Sequence, residues 1–164
     1  MRPVALDQVP HLAALWTLAD GTPMASKNEV IITGLLDRLA PGRRLYEESL
    51  TGADGRVVRP DFTVATKDGR TVFWEHAGML DLPDYARKWE RKREWYAKNG
   101  IAPWDKGGGP NGTLMWTDDL DGADARAWLT LACQVLDVEP TGSGTATVPA
   151  RRAAKKTAAR RTRS

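Results

Sequence analysis

A chain of 164 residues with a single cysteine, Cys133, is sized for one domain with its own core and excludes an intrachain disulfide framework. It shows neither an apolar run of membrane-spanning length nor a leader pattern of basic then apolar residues, so a cytoplasmic protein is expected, with nucleoid association compatible with it and no membrane partner. The net charge of +3 is unevenly spread: Arg151, Arg152, Lys155, Lys156, Arg160, Arg161 and Arg163 crowd into residues 141–164 without an acid, which leaves −4 on residues 1–140.

In chain order, Leu6, Val9, Leu12, Leu15 and Trp16 recur at helical spacing and predict an amphipathic helix over residues 5–19, within an N-terminal helical extension of residues 1–23. His11 beside that stripe is read as a packing or surface residue. Ser26-Lys27-Asn28-Glu29 opens a second helix that runs to Pro41-Gly42. Serine followed three residues later by glutamate is a capping box, so Glu29 has a structural role. It also stands at the edge of the apolar face of Ile32, Leu36 and Leu39, from which it can point along a sheet toward a metal. Leu45–Leu50 reads as a short strand and Thr51–Gly55 as a turn.

Residues 59–78, RPDFTVATKDGRTVFWEHAG, read as a β-hairpin with β-branched and aromatic arms around a Lys67-Asp68-Gly69-Arg70 turn. The fold-back brings Asp61 and Glu75 to one end on neighbouring strands. Two carboxylates held that close repel unless a cation lies between them, and a hard divalent ion prefers oxygen ligands. Pro83 and Asp84 then open another helix, stopped at Asn99-Gly100. At roughly 100° per residue, Tyr85, Trp89, Lys92 and Tyr96 fall within an arc of about 60°, which puts a lysine in an aromatic stripe. Either Lys92 snorkels to an edge, or its ammonium reaches the two hairpin carboxylates.

Ile101–Gly112 reads as a loop, without the Gly-Lys-Ser/Thr of a phosphate-binding loop. Thr113–Thr117 makes a further strand, and a last helix over about residues 123–137, capped by Asp121 or Asp124, is expected to bury Trp128, Leu131, Val135 and Leu136. Cys133 in that helix is read as structural. Residues 140–164 have almost nothing apolar to bury and are expected to form a disordered tail. Arg151, Arg152, Lys155, Lys156, Arg160 and Arg161 there suit an electrostatic arm on nucleic acid, the plainer alternative being a solubilising tail.

The order α-α-β-β-β-α-β-α, with Pro60-Asp61, Glu75 and the upstream Glu29, resembles the PD-(D/E)XK nuclease superfamily. Glu29 matches the helix acid of its RecB-like branch, and Lys92-x-x-x-Tyr96 resembles that branch's Gln-x-x-x-Tyr helix motif. Trp74-Glu75-His76-Ala77-Gly78-Met79, followed by Tyr85, Trp89, Lys92 and Trp95-Tyr96, is similar to a WEHxGM-type subfamily that occurs alone or joined to superfamily 1 DNA helicases. The resemblance covers roughly residues 24–137. It implies an α/β fold with a mixed sheet, namely a restriction-endonuclease-like αβββαβ core over residues 24–139 with the extra N-terminal helix, a C-terminal helix and the basic tail.

For function, the resemblance implies a Mg²⁺- or Mn²⁺-dependent deoxyribonuclease acting on single- or double-stranded DNA in repair, recombination or defence against foreign DNA, with a helicase or other DNA-processing protein as partner. Asp61, Glu75, Glu29 and the backbone carbonyl of His76 would hold the metal, and Tyr96 and Arg59 would contact substrate. One departure stands out. The family lysine belongs two residues after Glu75, and this chain has Ala77 there. Lys92 can replace it from the helix. His76 is the other candidate, although strand alternation turns its ring to the face opposite Glu75; either it packs on a helix or the strand end twists it into the site. The alternative function is a weak or inactive nuclease-like protein that binds nucleic acid or a partner protein.

Overall fold

The computed structural model describes residue 18 and residues 21–140. The expected helix over residues 5–19 and the basic tail over residues 141–164 lie outside them. The first described helix, α1, spans Lys27–Leu39, with Ser26 as N-cap accepting the Glu29 N–H at 3.2 Å. Strand β1 (Arg44–Tyr46) follows, then a two-residue ribbon of β2 (Leu50–Thr51) and β3 (Val57–Val58). Next come β4 (Phe62–Ala65), β5 (Thr71–Ala77), α2 (Pro83–Lys98), β6 (Ile101–Pro103), a 3₁₀ turn (Trp104–Lys106), β7 (Gly112–Asp118) and α3 (Ala125–Leu136).

Five strands form one mixed sheet in the order β1-β4-β5-β7-β6, antiparallel from β1 to β5 and parallel from β5 to β6. Alternation along β5 divides the structure into layers. Val72 and Trp74 face one way and pack with Ile32 and Leu36 of α1 and Trp128 and Ala132 of α3. Phe73 faces the other way and packs with Trp95 and Tyr96 of α2, Val58 and Leu114. Thus α1 and α3 cover one face of the sheet and α2 the other, a mixed α/β arrangement. No described helix is long and apolar enough to cross a membrane.

Three local expectations differ from what forms. The strand expected over residues 45–50 ends at Tyr46, because Glu47 adopts a left-handed conformation (φ 50°) and turns the chain off the sheet. The following residues are more than a turn: they pair Leu50 with Val58 and Thr51 with Val57 in the β2–β3 ribbon. The stretch Ile101–Gly112, expected to be a loop, contributes edge strand β6, which pairs parallel to β7 and tolerates Pro103 because a sheet edge leaves one side of the strand without partners. Gly112 at the start of β7 has φ 144°, and a Cβ there would stand 2.6 Å from the Phe73 ring, so only glycine fits between the two strands. In α3, Asp124 is the cap, accepting the Ala127 N–H at 3.0 Å, and Ala132 is buried where Leu131 is only half-buried.

Candidate active site

The hairpin register sets Phe62 against Trp74 and Thr63 against Phe73, so one step further Asp61 stands opposite Glu75 at the open end of β4 and β5. Glu75 shares the face of Phe73, toward α2, and is 4% exposed. Two side chains one helical turn apart on α2 converge on a single oxygen. Lys92 Nζ lies 2.5 Å from Glu75 Oε1, and the Tyr96 hydroxyl donates to the same atom at 2.6 Å. The stripe expected on this helix is therefore the face it buries, with Trp89 and Tyr96 enclosed and Lys92 extending its ammonium to the carboxylate. Asp61 is held differently: its Oδ2 accepts the backbone N–H of His76 at 2.7 Å.

Glu29 arrives from the other side of the sheet, on the first turn of α1. Ser26 beside it draws the pKa of its carboxyl down, as a capping box requires, yet Glu29 Oε2 is buried without a hydrogen-bond partner. Burial pushes the Glu29 carboxyl up to about 7, and the Asp61 charge adds to the rise. Glu75 is likewise pushed up to about 7 by burial and then by Asp61, against the opposing pull of Lys92. Asp61 is itself raised by burial, opposed by the His76 N–H and Lys92. Asp61 is thus the carboxylate whose charge acts on both of the others. Such mutual repulsion in a buried place is what a bound cation relieves.

His76 takes the first of its two expected placements. Its ring lies on the α1–α3 face, edge-on to Trp128 with centroids 5.0 Å apart. His76 Nε2 is 3.0 Å from Asn28 Nδ2, which also donates to Asp119 Oδ2 at 3.3 Å, and His76 Nδ1 is 2.9 Å from Thr117 Oγ1. An amide nitrogen only donates, so Nε2 accepts and the ring proton sits on Nδ1, directed at the Thr117 hydroxyl. That hydroxyl also accepts the Trp74 indole N–H at 3.1 Å. Burial lowers the His76 pKa, in keeping with a neutral ring. The side chain does not join the carboxylates; its backbone N–H does.

Two neighbours of the carboxylates, Glu47 and Tyr46, escaped the sequence reading, and a third, Tyr85, is read there only as part of the aromatic stripe. Glu47, exposed at its left-handed position, donates its backbone N–H to the Asp61 carbonyl at 3.1 Å, and its charge raises the carboxyls of Glu29 and Asp61. Burial raises the Tyr46 phenol, as do the charges of Glu29, Glu47 and Asp61. Tyr85 is raised by burial and then by Asp61, with Glu75 contributing less. Of the expected substrate contacts, Tyr96 is fully buried against Glu75, and Arg59 is exposed in a groove that Lys92 also lines.

Among the described residues no group of three or more His, Cys, Asp and Glu side chains forms a ready-made metal cage. The donors at hand are the facing Asp61 and Glu75 and the orphaned Oε2 of Glu29. Comparison with known proteins finds no family model that matches the chain, and no curated protein or solved structure matches it either.

Proposed function

We propose that this chain is a metal-dependent nuclease that hydrolyses phosphodiester bonds in DNA, of the PD-(D/E)XK kind. The observation that carries the reading is Lys92 Nζ at 2.5 Å from Glu75 Oε1. The cationic group missing at Ala77 is supplied by α2, on the face of the sheet where Asp61 and Glu75 stand opposite each other. The order α1-β1-β4-β5-α2-β7 also follows the αβββαβ core of that superfamily, with the β2–β3 ribbon and β6 as additions.

The donor set suits Mg²⁺ or Mn²⁺, because it consists of hard carboxylate oxygens and one of them, Glu29 Oε2, is buried without a partner. When bound, such an ion lowers the pKa of a water and offsets charge on the scissile phosphate. The chain's own groups do the positioning. The His76 N–H orients Asp61, and the Tyr96 hydroxyl orients Glu75. Lys92 brings positive charge to the place where the phosphate gains negative charge in the transition state, and it orients the attacking water. Locked in one neutral tautomer across the sheet, the His76 ring takes no proton in this scheme; its part is to hold the strand whose N–H fixes Asp61.

Incubation of the purified protein with linear, circular and single-stranded DNA in Mg²⁺, Mn²⁺ or EDTA tests the proposal. Metal-dependent strand breaks that disappear in Asp61→Ala are expected. Equal results from wild type and Asp61→Ala would refute the enzymatic reading. One observation favours a second reading, a nuclease-like protein that binds nucleic acid without cutting it: Lys92 and Tyr96 both occupy Glu75 Oε1. On that reading DNA binding persists while no metal produces strand breaks.

A further inference from the structure

Between the β2–β3 ribbon and α2 runs a groove of about 610 Å³. Five of its lining side chains are cationic, Arg56, Arg59, Lys88, Arg91 and Lys92; the other two are valines, and none is acidic. The groove belongs to a body whose residues 1–140 carry a net −4, so its charge is a local feature set against the overall balance.

Two of the three remaining cations of α2, Arg87 and Arg93, offer a contrast to the groove, the third being Lys98 at the helix end. Arg87 pairs with Asp84, and Arg93 pairs with Glu90 at 3.0 Å while lying over the Trp116 ring. These are i,i+3 pairs that neutralise each other within the helix. Among the described residues, Arg56, Arg59, Lys88 and Arg91 form no ion pair with a carboxylate. Four unpaired cations have therefore been gathered from two elements onto one groove. At its inner end Lys92 leads directly to Glu75.

Like charges placed together repel, and an anionic ligand turns that repulsion into attraction. The distribution selects the kind of anion. Lys88 and Arg91–Lys92 span about one helical turn, roughly 5–6 Å, along one wall, and Arg56 and Arg59 form a second row across from them. A single phosphate meets only part of this array, whereas a chain of phosphates meets both rows. Val57, 54% exposed beside the cations, offers an apolar contact to a sugar or a base.

We propose that this groove seats the phosphodiester backbone of a nucleic-acid strand and leads it toward Asp61 and Glu75. The inference deepens the nuclease reading by locating the strand, and it is tested by binding alone. The full chain is titrated by fluorescence anisotropy against labelled single-stranded and duplex DNA in EDTA, over a series of NaCl concentrations. Replacing four phosphate-contacting cations, as in Arg56→Gln/Arg59→Gln/Lys88→Gln/Arg91→Gln, should flatten the slope of log K against log[salt] by about 3 on single strands and nearer 4 on duplex. The pairwise variants Arg56→Gln/Arg59→Gln and Lys88→Gln/Arg91→Gln should each take about half of that loss, which separates charge removal from misfolding. Arg70→Gln/Arg87→Gln, which removes two cations already paired with Asp68 and Asp84, should leave the slope unchanged.

A quadruple variant that keeps the wild-type slope on both forms of DNA would overturn the groove assignment, even in an active nuclease. A flattened slope on either form supports it and identifies the strand form seated. If the slope flattens but wild type cuts no DNA in any metal, the groove stands and the nuclease reading falls.

Discussion

Replacing Lys92 by methionine keeps the aliphatic stem within the aromatic face of α2 and removes the ammonium from Glu75. At 2.5 Å the gross attraction is about 7 kcal/mol with an effective dielectric of about 20. Desolvation offsets much of this, and breaking a buried pair by removing one partner costs about 3–5 kcal/mol if the other stays charged. Glu75 need not stay charged. Its folded pKa already lies at about 7, above the ordinary 4.5, so it takes up a proton instead. The cost of the substitution is then limited to about 1.4 kcal/mol for each pH unit above 7, or about 2 kcal/mol at about pH 8.5.

The sign follows from proton counting. A carboxyl with a raised folded pKa holds more proton in the folded than in the unfolded chain, so its contribution to stability is full below about 4.5 and is lost as pH rises through about 7. Removing Lys92 raises the upper end of that window and leaves the acid side unchanged. Urea unfolding in EDTA should therefore give Lys92→Met almost no destabilisation at about pH 5.5 and about 2 kcal/mol at about pH 8.5. Equal destabilisation at both pH values, or a greater one on the acid side, would refute the reasoning.

Two further outcomes test the surroundings of the carboxylates. Glu29→Gln keeps an acceptor for the Ser26 cap and removes a buried carboxyl poised at about 7. In EDTA at about pH 8 it should be more stable than wild type by about 1–2 kcal/mol, while calorimetry shows weaker Mn²⁺ binding; a loss of stability would show that the carboxylate is satisfied as it stands. Thr117→Val strips the partner from both the Trp74 indole N–H and His76 Nδ1 in the buried layer. It should cost about 2–3 kcal/mol in urea unfolding, and a near-neutral result would deny the network any part in holding that end of β5.

Features encoded by near neighbours could be read from the sequence. The Ser26 cap, the Lys67–Arg70 turn and the stop at Asn99-Gly100 each depend on residues a few positions apart, and each stands where expected. The hairpin is also local, and its period of two sufficed to bring Asp61 and Glu75 together, while for the His76 ring it left two placements open, of which the structure takes the one away from the carboxylates. Helical projection singled out Lys92 for the same reason, because the stripe repeats within one element.

Other features depend on partners far along the chain. Two-residue strands such as β2 and β3 carry no periodicity, and β6 looks like a loop until β7 is laid beside it. Glu47 reads as strand, and only the pairing of β1 with the distant β4, Tyr46 against Phe62, places it by Asp61. Alternation left His76 without named partners until Asn28, Thr117 and Trp128 came in from α1, β7 and the start of α3. The groove cations of residues 56–59 and 88–92 look like ordinary surface charge in either segment taken alone. They form one array because Val58 packs with Trp95 and Tyr96 and so seats the ribbon against α2, a long-range contact that no local pattern encodes.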